Sequence, residues 1–252
     1  MCRHLAYLGP PVALARLLTE PVHGLMRQSW APRMQKYGTV NADGFGVGWY
    51  APGDPVPGRY RRAAPVWGDL SFGDLARVVR SEAVLAAVRD ATVPGADGEA
   101  AAAPFADGTW LFSHNGSVRG WPESAAPLAA GLPAAELLRL AARTDSAFVW
   151  ALVSRRLRAG EDPGTALAEP VRELAEAAPG SRLNLLLTDG HTIAATAWGD
   201  SLWYLADPQA RRTVVASEPY DDDARWSEVP DRTLLTASRT SVQLTPLKEP
   251  TP

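Results

Sequence analysis

Segments with strand character open this chain, helical segments fill its middle and strand segments return at the end, and that order admits few folds. Residues 2–9 alternate like a strand and stop at Gly9-Pro10-Pro11. Residues 13–18 read as a short helix, and 21–40 as a loop with one helical turn. Strands follow at 44–50, 83–89 and 109–113, with a helical stretch at 75–80 and Pro- and Gly-rich loops at 51–59 and 91–108. The apolar period then lengthens to that of helices at 134–142, 146–158 and 165–177, the last with Pro170 as a possible kink. Beyond Gly180 the period returns to two. Residues 182–188 lead into Asp189-Gly190, a strong hairpin signal, and strands are expected at 191–198, 201–206, 213–217 and 234–237. Strands, then helices, then strands argue an α+β fold with largely antiparallel sheets.

Composition narrows the class. The chain has 252 residues, 46% of them hydrophobic, which is enough for a sizeable core. A net charge of −3 gives no reason to expect nucleic acid or an anionic membrane as partner. The four histidines are scattered and Cys2 is the only cysteine, so neither a disulfide nor a zinc site is expected. No secretory signal and no bilayer-spanning apolar run can be read, so a cytoplasmic protein is expected.

The position of that cysteine is the sharpest chemical signal. Removal of Met1 would leave Cys2 with a free α-amine, so one residue would hold both a nucleophile and a base. A thiol titrates near 8.5 and an α-amine near 8, so the amine can take the thiol proton and return it to a leaving group. The ordinary alternative is a small buried apolar residue at the start of a strand.

Amide hydrolysis by Cys2 needs oxyanion donors, and a charged substrate needs counter-ions. Asn115-Gly116, at the end of the 109–113 strand, offers a side-chain amide and a backbone N–H that could converge; the pair is equally a hairpin turn. Arg89 stands at the end of an apolar strand, where a guanidinium could clamp a carboxylate or simply be solvated. Asp145 precedes an amphipathic helix as a cap or first-turn acid, and could also hold an ammonium. In the strand at 44–50, Gly44, Gly46 and Gly48 alternate, which suits close packing, here expected beside the N-terminal strand. No phosphate-binding Lys-Ser/Thr follows these glycines. Lys36 and the run Asp221-Asp222-Asp223 read as solvated charges, and Ala216-Ser217-Glu218-Pro219 ends a late strand that could line the pocket.

Taken in order, the Cys2 start, Asn41-Ala42-Asp43-Gly44-Phe45-Gly46-Val47-Gly48-Trp49-Tyr50, Val88-Arg89-Asp90-Ala91-Thr92, His114-Asn115-Gly116 and Thr144-Asp145-Ser146 resemble the class II glutamine amidotransferase domain, a cysteine-type N-terminal nucleophile hydrolase. The resemblance covers nearly the whole chain. It implies one domain over residues 1–252, a four-layer αββα sandwich of two mainly antiparallel sheets, and no cofactor or metal. By position it implies Cys2 as nucleophile, its α-amine as base, and Asn115 with Gly116 as the oxyanion pair. It implies Arg89, with Thr92 nearby, on the α-carboxylate of a glutamyl group and Asp145 on its α-ammonium. With no length left for a synthase domain, free-standing hydrolysis of a small-molecule γ-glutamyl amide is the simpler expectation. An ammonia-supplying glutaminase subunit and a hydrolase of another γ-glutamyl amide are the alternatives.

Four further segments resemble one subgroup, whose members cut γ-glutamyl-hercynylcysteine S-oxide in ergothioneine biosynthesis. They are Met1 to Leu5, Pro21-Val22-His23-Gly24-Leu25, Gln28-Ser29-Trp30-Ala31-Pro32-Arg33 and Ala63-Ala64-Pro65-Val66-Trp67-Gly68-Asp69. Such a leaving group carries a trimethylammonium, which aromatic faces bind. Trp30 and Trp67 are the first choices among nine tryptophans, though most tryptophans are simply packed.

Overall fold

In the computed structural model, residues 2–38, 40–91 and 98–247 are described. Their strands in chain order are β1 Arg3–Ala13, β2 Phe45–Trp49, β3 Gly58–Arg62, β4 Arg80–Val88, β5 Phe105–Asp107, β6 Trp110–Ser117 and β7 Arg182–Thr188. They continue as β8 Ile193–Ala197, β9 Trp203–Asp207, β10 Arg212–Ala216, β11 Ser227–Glu228, β12 Thr233–Ala237 and β13 Val242–Pro246. One sheet runs β11-β9-β10-β1-β4-β2-β3 and the other β13-β12-β8-β7-β6-β5. Every pairing in both is antiparallel.

Alternation along β1 explains the layering. Leu5 and Tyr7 point to one side, against the short helices α1 Ala15–Leu18, α2 Leu25–Gln28 and α3 Phe72–Val78. Ala6 and Leu8 point to the other side, against Leu111 and Leu186 of the second sheet. That sheet turns Phe112, Leu183, Leu185 and Leu187 outward to the longer helices, α4 Asp145–Arg158 and α5 Pro163–Ala177. The result is four layers, helices over sheet over sheet over helices. Small residues such as Ala6, Ala83, Ala195 and Ala197 line the space between the sheets, so the two backbones approach closely. None of the described helices is long and apolar enough to cross a membrane.

Three expectations are corrected. β1 does not stop at Gly9-Pro10-Pro11 but runs to Ala13, with its register against β4 shifting between Leu8 and Val12. Proline lacks a ladder donor, and an irregularity of this kind accommodates it. Asn115-Gly116 is no turn, because β6 continues through Ser117 with Asn115 opposite Asn184 of β7. The glycines of β2 do not make room for β1, since β4 lies between them. A Cβ on Gly46 would instead strike the Ala103 carbonyl, and one on Gly48 would come within 2.6 Å of Leu111. That strand does meet a close backbone, across the sandwich.

Candidate active site

Cys2 immediately precedes β1, and alternation puts it on the same face as His4, Ala6 and Leu8, toward the second sheet. Polar residues replace alanine and leucine at this end of the inter-sheet space. His4 Nδ1 lies 3.2 Å from Ser113 Oγ on β6. Burial, with Arg3 nearby, pushes His4 down to about 3, so its imidazole is neutral near pH 7 and supplies no positive charge to the thiol. The Cys2 thiol is half-buried and donates to the Asp90 carbonyl oxygen at 4.0 Å. Burial also pushes the thiol up, so at neutral pH it needs a base to become nucleophilic.

Two residues beyond Ser113, Asn115 is fully buried. Its Nδ2 lies 3.4 Å from Ser217 Oγ, and its Oδ1 meets no donor among the described residues. Gly116 follows. A Cβ there would collide with the Arg182 carbonyl oxygen on β7, so only glycine allows the strands to pair this tightly. His114 locks the same corner. Its Nε2 donates to the Arg182 carbonyl at 2.9 Å and its Nδ1 meets the Ser146 hydroxyl at 3.1 Å. This ties the first turn of α4 to β6.

Asp145 sits in that first turn. Thr144 is the N-cap, its hydroxyl accepting from the Ala147 N–H at 3.3 Å, so Asp145 is the first-turn acid rather than the cap. Its Oδ2 accepts from the Val118 N–H at 2.9 Å and its Oδ1 from the Ser146 N–H at 2.7 Å. The carboxylate thus holds the backbone just after Gly116, while the helix N-terminus favours its charge.

Arg89 follows β4. The Asp43 segment fixes this end: Arg89 N donates to the Gly44 carbonyl at 2.7 Å and Asp43 N to the Arg89 carbonyl at 2.9 Å. The Asp43 carboxylate accepts from the Ala91 N–H at 2.7 Å. Arg89 as a residue is half-buried, and its guanidinium Nη1 makes an exposed 3.4 Å contact to the Asp43 carbonyl.

Cys2, Arg89, Gly116 and Asp145 therefore line one pocket of about 330 Å³, with Trp121 and Arg143 further along its wall. The volume falls at the small end of ligand pockets. A thiol, a cation, a carboxylate and a glycine on one cavity suit a zwitterionic amino-acid head joined to an acyl group. Asn115 lies behind this wall. Met1 and Thr92 fall outside the described residues.

Trp30 and Trp67 are not on the pocket. They pack on each other edge-to-face, with centroids 5.7 Å apart, and are 37% and 41% exposed. Ser217 and Glu218 do not line the pocket either; both are fully buried. The Glu218 carboxylate accepts from the Arg33 and Met34 N–H groups at 3.0 and 2.9 Å, anchoring the loop that carries Lys36. Of the acidic run, Asp221 is no free solvated charge, since it accepts from the Trp226 indole at 2.7 Å, and Asp223 pairs with Arg225. Sequence reasoning left out His4, Ser113 and Asn184. The period of two from Cys2 to His4 was the one signal that could have found the first of them.

Over 247 residues the chain is 45% identical to a γ-glutamyl-hercynylcysteine sulfoxide hydrolase of Mycolicibacterium smegmatis, covering 98% of this chain and 100% of that protein. A solved glutamine aminotransferase class-II domain protein from Silicibacter pomeroyi superposes with a TM-score of 0.70 at 26% identity, over 98% of this chain and 100% of that one. The glutamine phosphoribosylpyrophosphate amidotransferase of B. subtilis superposes with a TM-score of 0.68 at 15% identity, over 98% of this chain and 49% of that one, which shows a shared fold. The family described as class-II glutamine amidotransferases matches residues 24–206, a span that begins after Cys2 and contains Arg89, Asn115, Gly116 and Asp145. The chain belongs to the class II glutamine amidotransferase family.

Proposed function

We propose that this chain hydrolyses the γ-glutamyl amide of γ-glutamyl-hercynylcysteine S-oxide, releasing glutamate and hercynylcysteine S-oxide in ergothioneine biosynthesis. The observation that carries the chemistry is the single pocket shared by Cys2, Arg89, Gly116 and Asp145. The mycobacterial relative, matched along its whole length, supports the choice of substrate.

In this reading Met1 is removed and the Cys2 α-amine takes the thiol proton, which the raised thiol makes necessary. Arg89 clamps the substrate α-carboxylate and Asp145 its α-ammonium, so the γ-carbonyl is delivered to sulfur. The Sγ–C bond forms and the carbonyl electrons move to oxygen, where the Asn115 amide and the Gly116 N–H donate to the oxyanion. The oxyanion collapses, the C–N bond breaks, and the proton held by the amine goes to the departing nitrogen. Water, losing a proton to the same amine, then attacks the thioester carbonyl; the C–Sγ bond breaks, the amine returns its proton to the Cys2 sulfur, and glutamate departs.

The test is glutamate release from glutamine, γ-glutamylcysteine, and γ-glutamyl-hercynylcysteine with and without the S-oxide. The expected result is the highest kcat/KM on the S-oxide. Preference for glutamine would overturn the assigned leaving group and favour an ammonia-supplying role.

A further inference from the structure

Ser217 belongs to neither wall of the pocket, yet it joins the two strands that matter most. Its hydroxyl oxygen accepts from the His4 backbone N–H at 3.0 Å, on the strand that begins right after Cys2. The same oxygen accepts from Asn115 Nδ2 at 3.4 Å, on β6 of the other sheet. No other described hydrogen bond reaches the Asn115 side chain, so this contact sets which way its amide faces.

Ser217 is itself immobilised. Its backbone N–H donates to the His4 carbonyl at 2.9 Å, and its carbonyl accepts from the Ser201 hydroxyl at 2.8 Å. Ser201 is held in turn, its carbonyl taking a bond from Asn184 Nδ2 at 3.2 Å. Asn184 also receives the Trp198 and Asp200 N–H groups on its Oδ1, at 2.9 and 3.2 Å. Asn184 is the cross-strand partner of Asn115. The network therefore closes on itself: Asn115, Ser217, Ser201, Asn184 and back to Asn115 through the β6–β7 pairing. Ser217, Asn115 and Asn184 are all fully buried, so water has little room to replace a missing member.

We propose that Ser217 is a positioning residue for the reaction, holding the Asn115 amide in register with the Cys2 strand so that one Nδ2 hydrogen goes to Ser217 and the other is left for the oxyanion. The proposal rests on the hydrolase reading above. An amide with two hydrogens satisfies both demands, and fixing one fixes the direction of the other. The benefit falls on the transition state, because a ground-state carbonyl oxygen lies elsewhere than the oxyanion.

The test is a double-mutant cycle on glutamate release from a γ-glutamyl amide, with melting temperature recorded for each variant. Ser217→Ala is expected to lower kcat about 10-fold or more while KM stays within about twofold. Ser217→Thr, which keeps the hydroxyl, is expected to retain most of kcat. In an Asn115→Ala background, Ser217→Ala is expected to remove no further activity, since it acts through that amide. Equal multiplicative losses in the two backgrounds, or wild-type kcat in Ser217→Ala, would overturn the proposal. Should Ser217→Ala not fold, Ser217→Cys takes its place in the cycle and the same outcomes decide. Asn115→Ala with unchanged kcat would instead strike at the oxyanion reading itself.

Discussion

The buried wall behind the pocket, which holds Asn115, and the rim that carries Arg89 are built from different material. Asn115, His4, Ser113 and Ser217 lie between the sheets, fully or almost fully buried, and hydrogen-bond across the sandwich. Arg89 sits beyond the end of β4, half-exposed, on a backbone steadied by Asp43. The groups assigned to bond breaking are thus held by core strands, and a group assigned to recognition stands on a strand end. Buried polar groups move little and cost much when left unpaired. Strand-end cations adapt, and their removal leaves little uncompensated charge. Disruption of the wall should therefore appear in kcat, and disruption of the rim in KM.

Cys2→Ala is the hardest test. Glutamate release is expected to fall by more than about 1,000-fold, as with loss of other covalent nucleophiles. Surviving turnover would move the nucleophile elsewhere and dissolve the comparison. Asn115→Ala is expected to lower kcat by roughly 100-fold or more, with KM nearly constant, as for other oxyanion donors. On the rim, Arg89→Lys keeps the charge but loses the two-pronged geometry for a carboxylate, and KM is expected to rise about 10-fold with kcat within a few-fold. A kcat loss at Arg89 equal to that at Asn115 would mean that recognition and chemistry are not divided between rim and wall.

The same division explains what could be read from the chain. β1, β6 and the glycine-rich β2 carry strong local patterns, and of the residues singled out in the sequence the fold brings Cys2, Arg89, Gly116 and Asp145 onto one pocket, with Asn115 behind it. Strand ends were misjudged where local and distant forces compete. Gly9-Pro10-Pro11 and Asn115-Gly116 both look like stops, yet ladders to β4 and β7 carry the strands past them. The edge strands β3, β5, β11 and β13 were not foreseen, being short or weakly patterned and paired on one side alone. Ser217 is the clearest case. It lies 213 residues from His4 and 102 from Asn115, and nothing local marks a serine at the end of β10 as their shared acceptor. Only the adjacency of β1 and β10 places it there.

The smallest effect is expected at Trp30 and Trp67, and it concerns a third region, on the helical layer outside the first sheet. Their contact with each other already satisfies one edge and one face. The Arg27 guanidinium stands 5.6 Å from the Trp30 ring centroid, so the chain supplies its own cation where a trimethylammonium would have to bind. Neither ring lines the pocket that holds Cys2. Trp67→Ala and Trp30→Ala are accordingly expected to keep glutamate release within about twofold on every substrate, and to lower stability by roughly 1 kcal/mol through the lost aromatic pair. Comparing γ-glutamyl-hercynylcysteine S-oxide with γ-glutamylcysteine makes the test selective, because only the former carries the quaternary ammonium. A rise in KM confined to that substrate would seat the leaving group against this pair and extend the rim across the helical layer. Unchanged KM for both leaves the wall between the sheets and the Arg89 rim as the regions that the substrate feels.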